Sequence, residues 1–107
     1  MKHSMSDMVS TYIYGFNQIS IDLVSISYFH FDFHLLIWAV VHNYDRESKE
    51  KLFLVENIIN SKYAESGFRL TTIIMEENDK ILAPSEFKYF KDLSFQNQYL
   101  KNSDLLN

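Results

Sequence analysis

Apolar and polar residues alternate without interruption over residues 29–35, Phe-His-Phe-Asp-Phe-His-Leu, and a period of two places every second side chain on one face of a β-strand. The odd positions stay apolar through Ile37, Ala39 and Val41. The even positions begin polar with His30, Asp32 and His34 and become apolar at Leu36, Trp38 and Val40. The pattern predicts a central strand, half-wet at one end and buried on both faces at the other. Ile19, Ile21 and Leu23 form an earlier alternating run, and Val24, Ile26 and Tyr28 shift its phase by one residue, which predicts a bulge or turn near Leu23 and Val24. A second shift falls at Tyr28 and Phe29. A straight strand over residues 19–41 would run roughly 75 Å at ~3.3 Å per residue, far beyond the ~13 Å radius of gyration expected of such a domain, so the segment must fold back or bend sharply.

On either side of this region the period changes. Met5, Met8, Val9, Tyr12, Ile13 and Phe16 space as one face of a helix, with Ser4 or Ser6 as N-cap and Gly15 near the end, although Val9 and residues 11–14 also suit a strand. Residues 42–51 read as a charged, solvated connection, and Leu52-Phe53-Leu54-Val55 as a short strand completing a hairpin. Ile58, Ile59 and Tyr63 suggest a one- or two-turn helix stopped by Gly67. Residues 68–75 are dense in β-branched side chains, and the polar run 76–80 leads to Ile81 and Leu82 as a second hairpin. After Pro84, Phe87, Phe90 and Leu93 space like a short helix over residues 85–93, and the polar stretch 96–107 is expected to be a weakly ordered tail. Together these elements describe a single α+β domain over residues 1–107: a bent antiparallel β-sheet of about five or six strands, flanked by an N-terminal helix and a short C-terminal helix.

Composition adds mainly exclusions. The 107 residues hold no cysteine, which excludes disulfides and thiolate metal sites and fits the reducing cytoplasm. No secretory signal or membrane span is evident, the longest fully apolar run being 35–41. The net charge of −4, with no Lys or Arg between Lys2 and Arg46, argues against nucleic acid as a partner and leaves a homodimer open. Gly15 and Gly67 stand alone, so there is no phosphate-binding loop, and no Gly-x-Ser-x-Gly nucleophile pattern occurs.

The candidate chemistry is correspondingly thin. His30, Asp32 and His34 are all metal-ligand types on one strand face, yet the two histidines would lie about 13 Å apart on a straight strand, too far to share an ion. The expectation is therefore no metal and no cofactor, with these three residues on a solvated face available to a partner. Tyr12, Tyr14, Tyr28 and Tyr44, with Phe29, Phe31, Phe33 and Trp38, fall in or beside the stretch without Lys or Arg, which resembles a protein-binding surface in composition. The acids of the two polar connections, Asp45, Glu47 and Glu50 in one and Glu76, Glu77 and Asp79 in the other, are expected to meet a cationic partner, with Tyr44 as an aromatic anchor. A small, acidic domain without catalytic apparatus suits a non-enzymatic inhibitor that neutralises a cationic partner protein, as immunity and anti-defence proteins do. A structural or accessory subunit of an assembly or homo-oligomer is the alternative, and a small-ligand or metal-binding enzyme the third reading.

Overall fold

Ser4 starts the first helix, α1 (Met5–Asn17): its hydroxyl accepts from the Asp7 N–H, and the Asp7 carboxylate accepts from the Ser4 N–H. That reciprocal pairing holds the Asp7 carboxyl below the usual carboxylate range. Met8, Val9, Tyr12 and Phe16 form its buried stripe, as the helical spacing requires. The computed structural model describes residues 3–92. Within them the chain continues through β1 (Leu23–Phe31), β2 (His34–Val41), α2 (Arg46–Tyr63), a 3-10 turn (Ala64–Ser66), β3 (Arg69–Glu76), a second 3-10 turn (Glu77–Asp79) and β4 (Lys88–Asp92). The tail expected over residues 96–107 lies outside the described residues.

The four strands form one mixed sheet in the order β3-β2-β1-β4 rather than an antiparallel sheet of five or six. β1 pairs antiparallel with both β2 and β4, whereas β2 and β3 run parallel. Parallel neighbours need a crossover, and α2 supplies it. Leu35, Ile37, Ala39 and Val41 of β2 turn to the helices, where they share one core with Ile26, Leu70, the α1 stripe, and Leu52, Val55, Ile59 and Tyr63 of α2. Among the described residues no helix is long and apolar enough to cross a membrane.

Several expectations are corrected. Residues 29–35 are not one strand. The chain folds back at Asp32 and Phe33, a two-residue turn between the paired Phe31 and His34, with Asp32 at φ 51°. A two-residue turn lets the alternation run on in sequence while the two faces exchange parity, so His30 and His34 belong to opposite faces. The register shift foreseen near Leu23 and Val24 is present between Leu23 and Ser25, but the β1/β2 register runs unbroken through Tyr28 and Phe29.

Leu52-Phe53-Leu54-Val55 is helical rather than extended, because α2 begins at Asp45, whose side chain accepts from the Ser48 N–H at 2.7 Å. Residues 42–51 are thus not a hairpin tip, and the short helix foreseen around residues 58–63 is the last part of an 18-residue one. Gly67, at φ 78°, does stop the helical segment. The second hairpin does not form, and residues 88–92 are a strand rather than a helix. Since β3 and β4 are opposite edges, residues 77–87 lead from one side of the sheet to the other and end at Phe87 on the face away from the helices. There Phe87 packs on Phe29 and Trp38, at 5.5 and 5.9 Å between ring centres.

The outer edge of β3 is closed by α2. The Asn60 side-chain amide donates to the Leu70 carbonyl and its oxygen accepts from the Leu70 N–H, while Glu56 accepts from the Thr72 N–H. These side chains occupy backbone groups that would otherwise recruit another strand.

Candidate functional site

Parallel pairing sets the site. Because β2 and β3 run the same way, with Val41 opposite Glu76, their C-terminal ends emerge together, and residues 42–47 and 76–79 become neighbours. In sequence these are separate acidic segments.

At this end the Tyr44 N–H donates to Glu76 Oε1 at 2.6 Å, and the Glu76 N–H donates to Asp79 Oδ2 at 3.1 Å. His42 lies between two carboxylates, its Nδ1 at 2.8 Å from Glu77 Oε2 and its Nε2 at 3.4 Å from Asp22 Oδ1. Asp45 caps α2, and its bonds to Ser48 hold its carboxyl below the usual range. Further into α2, Glu47 pairs with Lys51 and Glu50 with Arg46, each at 2.9 Å. Tyr44 is 47 % exposed, with the Lys49 ammonium 5.9 Å from the centre of its ring. Two of these acids, Glu76 and Asp79, therefore shape the segment through backbone bonds, while Glu77, Glu47 and Glu50 are at least half exposed to solvent.

The structure thus brings together five of the residues singled out from sequence, Tyr44, Asp45, Glu76, Glu77 and Asp79, while Glu47 and Glu50 lie along α2 in pairs with Lys51 and Arg46. It separates the other three. His30, Asp32 and His34 lie around the β1–β2 turn, at the opposite end of β2. His34 Nε2 is 2.8 Å from Thr71 Oγ1 and stacks on Phe31. Among the described residues no three His, Asp or Glu side chains are grouped to hold a metal ion. Around His42 the reason is plain, since Asp22 and Glu77 approach opposite nitrogens of one ring and do not converge on a point.

Sequence reasoning missed Asp22 and His42 as members of this surface. The available signal was that both adjoin strand ends, Asp22 immediately before β1 and His42 immediately after β2, but joining them required the antiparallel register that sets Leu23 opposite Val41. A separate cleft of about 520 Å³ lies between α2 and β3, lined by Glu56, Asn60, Phe68, Arg69 and Thr71 among others. Two of those side chains, Glu56 and Asn60, are already engaged in closing the β3 edge. Comparison with known protein families, curated proteins and solved structures finds no match.

Proposed function

We propose that the protein is a small, non-enzymatic binding domain that neutralises a cationic partner protein through the acidic end of its sheet. The observation supporting this reading is the juxtaposition of residues 42–47 and 76–79, which ties the backbone of the half-exposed Tyr44, next to Asp45, to Glu76 of the turn that carries Glu77 and Asp79. Opposite charge steers encounter, and an exposed aromatic side chain beside these acids supplies contact energy on docking. Tyr44 is well suited to this because its backbone is fixed by Glu76.

A second reading, a subunit of a larger assembly, draws on a different surface. Phe31 and Phe33 at the β1–β2 turn, and Ile81 and Leu82 after the turn that follows β3, are exposed, at 46, 64, 49 and 82 %, and exposed apolar side chains of this size suit burial against another chain.

The two readings separate in an affinity capture with two baits. One is the wild-type chain, and the other carries Asp45→Asn, Glu76→Gln, Glu77→Gln and Asp79→Asn, which remove charge but keep the acceptor oxygens used by Ser48, Tyr44 and Glu76. The binding reading predicts a basic protein retained by the wild type and lost from the variant. Equal retention on both baits would move the contact to the apolar surface and favour the assembly reading.

A further inference from the structure

His42 has a carboxylate at each ring nitrogen, and that arrangement determines which protonation state it suits. A neutral imidazole carries one N–H, enough for the hydrogen bond to Glu77; only the imidazolium adds a second N–H and a positive charge facing the exposed Asp22, an ion-pair contact at 3.4 Å. The three groups belong to three segments: Asp22 ahead of β1, His42 after β2, and Glu77 in the turn after β3. Other charged groups at this end are committed elsewhere. Glu76 accepts from Tyr44, Asp79 from Glu76 and Asp45 from Ser48, Lys51 of α2 pairs with Glu47 and donates to the Ser20 carbonyl, Arg46 pairs with Glu50, and Lys49 lies over the Tyr44 ring. Asp22 and Glu77 are therefore the charges that His42 answers.

We infer that His42 is a protonation-dependent clip on the acidic end. As the imidazolium it fastens the lead into β1 and the Glu77–Asp79 turn to the end of β2, and on losing a proton it releases the lead into β1 and makes this surface more negative. Release falls on Asp22 because the remaining N–H stays with the nearer Glu77 oxygen, leaving the Nε2 lone pair facing the Asp22 carboxylate. The consequence of the clip for binding rests on the partner reading above: a more negative end attracts a cationic surface more strongly, and release of Asp22 leaves one more unpaired carboxylate to meet it.

The test has two arms, run on wild type and His42→Gln, a neutral replacement on a half-exposed position. In the first, carbon-13 shifts of the Asp22 and Glu77 side-chain carboxyls are followed from pH 5.5 to 8, a range in which ordinary carboxylates do not titrate. The clip predicts that both move together with the His42 ring resonances in the wild type and stay flat in His42→Gln. Flat carboxyl shifts in the wild type, or the same movement in the variant, would overturn it. In the second arm a hexalysine peptide serves as cationic probe. Binding to the wild type should tighten roughly two- to fivefold from pH 6 to 8, the scale of one exposed charge pair, and should not change in His42→Gln. Coupled carboxyl shifts without a change in peptide binding would retain the clip but overturn its regulatory role.

Discussion

Replacing Leu52 by alanine should cost about 2–5 kcal/mol of stability, whereas the same change at Leu54 should cost no more than about 0.5 kcal/mol. One residue separates them in a run that reads as uniformly apolar, so the contrast reports directly on the periodicity of α2. Leu52 is fully buried with Val55 and Ile59, and truncating it leaves a cavity that neighbours fill only partly, while Leu54 is 55 % exposed. Were the segment a strand, Leu52 and Leu54 would share a face and lose similar amounts. Urea unfolding followed by the single Trp38 measures both variants under one protocol.

The second large effect is expected at Asn60. Its side chain satisfies both the N–H and the carbonyl of Leu70, at 2.7 and 3.0 Å, in a partly buried setting. Asn60→Ala leaves both groups without their partner and should cost about 1–3 kcal/mol. Loss of the cover also exposes strand edge, so the variant should associate with itself as concentration rises, because open backbone groups pair with other chains. Analytical ultracentrifugation across a concentration series, beside a urea titration, reads both effects. A variant that loses stability yet remains at its wild-type association state would show that α2 shields the edge by bulk rather than through Asn60.

The parts of the fold that local chemistry dictates were legible in the chain. The α1 stripe and its Ser4 cap, the core run 35–41, the bulge after Leu23 and the stop at Gly67 all depend on residues within a turn or two of one another. What escaped was hidden by periodicities that two structures share. A two-residue turn at Asp32 and Phe33 preserves alternation, so a hairpin tip reads as a strand and sends His30 and His34 to opposite faces. Phe87 and Phe90, three apart, suit a helix. Phe87 just before β4 and Phe90 within it instead take opposite faces, Phe87 against Trp38 and Phe90 against Tyr12, Phe16 and Tyr28 of the core. The contiguous apolar quartet in α2 masked a helical stripe of which only Leu52 and Val55 face inward.

The candidate site was legible as residues but not as a place. Its acids stood out because each segment is polar and poor in packing side chains, and Tyr44 because it adjoins one of them. Nothing within either segment says that they meet, since that depends on β2 and β3 pairing in parallel through a helix whose beginning read as a loop. Asp22 and His42 joined the surface only once the register was known.

The central claim, that the acidic end binds a cationic protein, is tested most directly by the salt dependence of the association rate with the partner retained in the capture experiment. Rim charges act mainly on encounter, and salt screens them over a Debye length of about 10 Å at 0.1 M. Stopped-flow mixing between about 50 and 500 mM NaCl should show the wild-type rate falling steeply with salt. The rate for the charge-neutralised variant, with Asp45→Asn, Glu76→Gln, Glu77→Gln and Asp79→Asn, should be low and nearly flat. A wild-type rate that does not change with salt, equal to that of the variant, would contradict the account.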